Sequence, residues 1–140
     1  MTKNPLDEII IDEDIKPDLN LLASILKGNL RITKNGEIIF EEKVRVGAAW
    51  KRELYYLLAR KVIVIKKLKQ IKEEVSNKEI SEEAFIPPQT LSRFPTRELK
   101  PVLKKTKRGL YIIPNYNLLK SKRLLEGKIK IPREKKKSKK

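Results

Sequence analysis

Residues 80–101, "ISEEAFIPPQTLSRFPTRELKP", decide how the fold is read. Ile80 to Ala84 suit one short helix. Pro87-Pro88 then interrupts the chain. Pro88 is tolerable at a helix start, where its missing N–H has no intrahelical partner. Leu91 and Phe94, three residues apart, share the inward face of a second short helix. Pro95 stops that helix near Phe94, because an interior proline removes a hydrogen bond and clashes with the turn before it. Two readings stand at this point. Either the second helix is presented outward, or the stretch is a proline-bent corner between core helices.

A helix-turn-helix sets two short helices at a steep angle and offers the first side chains of the second to the major groove. It needs an early apolar residue, a small residue where the helices cross, a turn, and apolar residues inside the second helix. Ile80, Ser81, Ile86, Leu91 and Phe94 fill these places. Gln89, Thr90, Ser92 and Arg93 are left facing outward. Glutamine takes adenine bidentately, arginine takes guanine, and serine or threonine suits phosphate or base.

On Glu79-Ile80-Ser81-Glu82-Glu83, Ile86-Pro87-Pro88 and Thr90-Leu91-Ser92-Arg93-Phe94, the stretch resembles the helix-turn-helix of bacterial and archaeal transcription regulators. The basic run and proline from Arg97 to Pro101 are similar to the phage-repressor-like branch. The resemblance spans residues 79–101, less than a fifth of the chain, and implies a regulator that reads duplex DNA. The family usually has glycine at the turn, where the backbone is left-handed. Here the residue is Phe85, bulky and unfavourable at positive φ. Ala84 likewise stands where a larger apolar residue is usual.

Upstream, residues 46–76 read as the longest helix. Trp50, Leu54, Leu57, Lys61, Val64, Leu68, Ile71 and Val75 alternate at spacings of four and three, which lays them on one stripe. Val62-Ile63-Val64-Ile65 also suits a strand, but the helical spacing on both sides favours helix. The stripe is core first. A helix of about 45 Å, at 1.5 Å per residue, leaves room for a homodimer seam as well. Lys51, Arg52, Arg60, Lys66, Lys67 and Lys69 stand opposite, with Tyr55 and Tyr56 among them. That face is a solvated surface, or a track for a phosphate backbone with stacked bases.

Before it, "NLRITKNGEIIFEEKV" alternates around Asn35-Gly36, the strongest local hairpin signal in the chain, with positive φ expected at both turn positions. Strands are expected near 30–34 and 37–42. Residues 18–27 suit a short helix capped by Asp18 and ended by Gly28. Residues 1–18 carry five acids before Pro17-Asp18 and read as an acidic arm, either a loose terminus or a mask over basic surface.

Downstream the charge polarises. From Arg97 to Lys140 there are 17 Lys or Arg against three acids, +14 of the total +16. The candidate phosphate contacts are Arg97, Lys100, Lys104, Lys105, Lys107, Arg108, Lys120, Lys122, Arg123, Lys135, Lys136 and Lys137. "KRGLYIIPN" and "GKIKIP" are expected to pair as a small wing with Lys107 and Arg108 at its edge. "NLLKSKRLLEGK" suits a short amphipathic helix ended by Gly127. The lysine tail from Arg133 is expected to be flexible without a partner.

The composition narrows the chemistry. No cysteine and no histidine occur in the 140 residues, which removes thiol nucleophiles, the usual metal ligands and the usual general base. Adjacent carboxylates such as Glu73-Glu74 do not face each other on a helix, and no phosphate loop is present. Neither catalysis nor a metal or other cofactor is expected. No apolar run approaches ~20 residues, so no membrane span is expected. The acidic start lacks the pattern of a signal peptide. Heavy use of Lys, Ile and Glu follows the drift of hyperthermophile proteins and suggests an archaeal source.

The resulting expectation is a mainly α single domain with one β-hairpin, helix-turn-helix or winged-helix-like, with flexible termini. It divides into an acidic arm 1–18, a core 19–113 with its helix-turn-helix at 78–95, and a basic extension 114–140. The expected function is DNA binding, as a transcription regulator of an archaeon or an archaeal virus or plasmid. The expected location is the cytoplasm, on the nucleoid, with a virion as the other setting. Duplex DNA is favoured over RNA as partner. Two alternatives stay open. One is a sequence-independent coat, packaging or chromatin protein. The other is a ribosome-associated RNA binder using Tyr55, Tyr111 and Tyr116 to stack on bases.

Overall fold

Asp18 opens the first helix, as its side chain predicts: Oδ1 accepts from the Leu21 N–H at 3.1 Å. The computed structural model of the chain describes residues 5, 6 and 16–129. Helix α1 (Leu19–Leu26) leads through Gly28 into a hairpin of β1 (Leu30–Ile32) and β2 (Ile38–Phe40). One turn, α2 (Glu42–Arg45), precedes the central helix α3 (Ala49–Ile65). Then come α4 (Asn77–Ala84), α5 (Pro88–Leu91), a 3-10 turn at Phe94–Thr96, a second hairpin of β3 (Lys104–Lys105) and β4 (Tyr111–Ile112), and α6 (Leu118–Leu125). Roughly half of the described chain is helical.

The expectation of one hairpin is corrected to two. The pairing of "KRGLYIIPN" with "GKIKIP" is corrected as well. Strand β4 pairs instead with β3 immediately before it, Lys104 opposite Ile112 and Lys105 opposite Tyr111. On its other side β4 is bridged by Val75, with N–H···O bonds of 2.8 and 3.0 Å between Val75 and Tyr111. The local order is therefore Val75, β4, β3.

Both hairpins use the same turn. In Thr33-Lys34-Asn35-Gly36 and in Thr106-Lys107-Arg108-Gly109, the glycine N–H donates to the threonine carbonyl at 2.9 and 3.0 Å. The N–H of the next residue donates to the threonine Oγ1 at 3.0 and 3.2 Å. Only the glycine takes positive φ, +85° at Gly36 and +79° at Gly109. This is a longer hairpin loop with glycine at the left-handed position, not the two-residue turn expected at Asn35-Gly36.

The helix expected over 46–76 is shorter, spanning Ala49–Ile65. Its end is a Schellman motif. Lys67 takes φ +55°, its N–H reaches the Val64 carbonyl, and the Leu68 N–H reaches that of Ile63 at 3.0 Å. Residues 66–74 then run back across α3, held by Arg60, whose guanidinium donates to the carbonyls of Lys72 and Glu73.

Helix α3 is the centre of the core, touching α1, α2, α4 and β1. Leu54 and Leu58 are fully buried and Leu57 nearly so. Of the apolar stripe, Leu54, Leu57 and Val75 are buried, and Trp50, Val64, Leu68 and Ile71 are half-buried. The core also continues past Ile113. Leu118 and Leu124 of α6 belong to the same buried cluster as Leu22 and Leu26 of α1, so α6 is a packed element rather than an extension. Among the described residues, no helix is long and apolar enough to cross a membrane.

Candidate nucleic-acid interface

Ser76 caps α4, its Oγ accepting from the Glu79 N–H at 3.2 Å. Ile80 and Ala84 turn inward and are fully buried. Ser81 Oγ donates to the Ile86 carbonyl at 2.6 Å, which ties α4 to the turn that follows it. Phe85 adopts φ +59° and ψ +49°, the left-handed conformation that a glycine usually supplies. The Ile86 N–H closes the helix onto the Ser81 carbonyl. The backbone of the turn therefore has the left-handed residue at the position the sequence left in doubt, with a phenyl ring attached and 70% exposed.

Arg52 of α3 supports this turn. Its Nε donates to the Ala84 carbonyl at 2.7 Å and its Nη2 to that of Phe85 at 3.1 Å. Its Nη1 donates to the Arg45 carbonyl at 2.9 Å, at the end of α2. One buried guanidinium closes two helix ends at once, where C-terminal carbonyls otherwise lack partners.

Helix α5 has a single turn, starting at Pro88, with Leu91 fully buried and Phe94 largely so. Of the expected readers, Gln89, Ser92 and Arg93 are exposed and Thr90 is half-buried. Ser92 Oγ already donates to the Gln89 carbonyl at 2.9 Å. Beyond it, Lys100 is exposed and Arg97 is half-buried with contacts of its own.

The second hairpin carries the densest charge. Lys104, Lys105, Lys107 and Arg108 are all exposed, the last two at the centre of the turn. Lys105 Nζ lies 5.9 Å from the ring centre of Tyr111, within cation–π range. On α6, Lys120 and Arg123 are exposed and Lys122 is half-buried. Lys122 and Arg123 also sit in the helix's last turn, where positive charge complements the dipole. Lys135, Lys136 and Lys137 lie outside the described residues. From Pro87 to Leu125 the chain has one acid, Glu98.

The basic, aromatic face expected along the long helix is corrected in part, since Lys51, Lys66, Lys67 and Lys69 are exposed as expected. Arg52, Tyr56 and Arg60 are buried, and Tyr55 is half-buried. The Tyr56 hydroxyl donates to Glu83, and burial followed by that hydrogen bond raises its pKa. Tyr111, a proposed base-stacker, is 7% exposed. Only Tyr116 presents a substantial part of its ring.

Of three buried polar features, the apolar stripe placed only Lys61 inward and gave none of the partners. Lys61, 1% exposed, donates to Glu73 Oε2 at 2.5 Å and to Asn115 Oδ1 at 2.6 Å, joining α3 to the chain after β4. Arg60 holds the 66–74 segment. Glu53 is fully buried, and neither carboxyl oxygen has a hydrogen-bond partner. Burial pushes its pKa up to about 8. A cleft of about 350 Å³ lined by Arg60, Lys69, Glu37, Glu79 and Glu83 adjoins this network. Among the described residues no group of three or more acidic side chains is placed to hold a metal ion. Compared with protein-family models, curated proteins and solved structures, the chain gives no match.

Proposed function

We propose that the chain is a duplex-DNA-binding protein of transcription-regulator type, with α4–α5 as a helix-turn-helix and the β3–β4 hairpin as its wing. The observation that carries this reading is the order Val75, β4, β3. Val75 immediately precedes the cap of α4, so the cationic hairpin is tied to the head of the helix pair. A helix that reads a groove gains from a phosphate contact fixed beside it, since phosphate contacts position and base contacts specify. The left-handed Phe85 and the buried Ile80, Ala84, Ile86 and Leu91 support the helix-turn-helix reading of α4–α5. An archaeal or archaeal-virus regulator remains the source we favour from residue usage.

A second reading has one observation in its favour. Helix α5 is only four residues long, while cations stand on α5, the hairpin and α6. That balance also suits a sequence-independent packaging protein. A salt titration of a labelled random duplex tests what both readings share. Log affinity is expected to fall linearly with log salt, the slope counting phosphate contacts. Absence of duplex binding at low salt would overturn both.

A further inference from the structure

Resting on the duplex reading, we infer that one copy of the chain reads two bases: adenine through Gln89 and, about two base-pair steps along, guanine through Arg93. Ser92 has spent its hydroxyl proton on the Gln89 carbonyl, and Thr96 has spent its own on the Arg93 carbonyl at 3.2 Å. Phosphate oxygens only accept hydrogen bonds, so neither hydroxyl can hold one without giving up its own bond. Thr90 is half-buried. Gln89 and Arg93 are exposed, and their side chains make no hydrogen bond or ion pair among the described residues.

The start of α5 has a second property. Pro87 and Pro88 are both exposed, and neither has an N–H. The backbone of this helix start therefore has little with which to grip a phosphate. The proline rings instead offer apolar surface of the kind that meets a thymine methyl group. Phosphate anchoring falls to the hairpin, and α5 is left to the base edges.

Spacing sets the register. Gln89 and Arg93 are four residues apart on continuous right-handed backbone, Ser92 at φ −64° and Arg93 at φ −84°. They stand on one face, about 6 Å apart along the axis at 1.5 Å per residue. Bases rise by about 3.4 Å per step, so the two side chains meet bases roughly two steps apart. Glutamine's paired donor and acceptor match adenine N6 and N7. Arginine's fork matches guanine O6 and N7.

The test is a selection from a random duplex pool with the full chain at about 0.15 M ionic strength, run for the wild type, Gln89→Ala, Arg93→Ala and Arg93→Lys. All these positions are exposed, and thermal melts verify that each variant is folded. The expected wild-type product carries adenine and guanine about two steps apart on one strand. Gln89→Ala should erase the adenine preference alone, roughly tenfold to hundredfold. Arg93→Lys keeps the charge but not the fork, and should erase the guanine preference with little loss of total affinity. A recovered motif without this pair, a motif indifferent to both residues, or duplex retention without any motif overturns the base assignment while duplex binding stands. Failure to retain duplex at all overturns the assignment together with the reading on which it rests.

Discussion

The guanidinium of Arg52 donates to the backbone carbonyl of Phe85, 33 residues away, at 3.1 Å. This contact explains how a bulky residue holds a conformation that costs L-residues roughly 1–2 kcal/mol. Arg52 takes up the Ala84 and Phe85 carbonyls that the end of α4 leaves over. The turn is then fixed from behind by α3 rather than by the freedom of a glycine.

Phe85→Gly is expected to stabilise the fold by about 1 kcal/mol, because the strain goes and a largely exposed ring loses little burial. Arg52→Leu is expected to destabilise by about 2–4 kcal/mol, since several carbonyls lose their partner together. Urea unfolding of the two variants measures both. Stabilisation by Arg52→Leu would contradict this account of the turn.

Glu53 makes stability depend on pH above the range in which ordinary carboxylates titrate. The chain has no histidine, and ordinary carboxylates titrate below about pH 5. The folded state holds the Glu53 proton up to about pH 8, while the unfolded chain loses it near 4.5. Between these values the folded state binds more protons, so stability falls as pH rises, by up to about 1.4 kcal/mol per unit. Glu53→Met should flatten the profile from pH 5 to 8 and raise stability at pH 8 by roughly 3 kcal/mol. An unchanged slope in this variant would assign the dependence elsewhere.

The Lys61–Glu73 pair should respond differently to the loss of either partner. Glu73→Ala leaves a buried ammonium without its carboxylate and is expected to cost about 3–5 kcal/mol. Lys61→Met removes the buried charge itself and should cost clearly less. Burial already lowers the Lys61 pKa against the pull of Glu73. Denaturant midpoints compared at equal m-value give the order, and the reverse order would contradict the argument.

At the hairpin tip, Lys107→Ala with Arg108→Ala is expected to weaken duplex binding evenly across sequences. The same change should reduce the salt slope by roughly two, one per lost phosphate contact. Affinity measured on several duplexes between low and moderate salt checks this. An unaltered slope would remove the tip from the interface.

Much of the local structure is legible in the residues. Asp18 and Gly28 bound α1, Gly127 follows α6, and Gly36 sits where the first hairpin turns. The end of α3 lacks such a marker. Helix α3 stops at Ile65 through a Schellman turn on Lys67, and no glycine or proline announces it. The apolar spacing continues through Leu68, Ile71 and Val75 although the helix does not. The second hairpin is signalled by Thr106-Lys107-Arg108-Gly109, which repeats the pattern of Thr33-Lys34-Asn35-Gly36. Its outward strand, Lys104–Lys105, hides because it carries no apolar residue. Arg52 and Arg60 look like surface charge by residue type, whereas Lys61 falls on the apolar stripe by its spacing. Only tertiary packing brings carbonyls and carboxylates to them.

The central claim, that duplex DNA is the partner, is most directly tested by competition. The full chain would be offered a random duplex pool, the matching single strands and total cellular RNA together at about 0.15 M ionic strength. Predominant retention of duplex, lost when the hairpin tip is neutralised, is the predicted result. Predominant retention of RNA or single strands would contradict it, and residues 80–101 would then be a corner of the core.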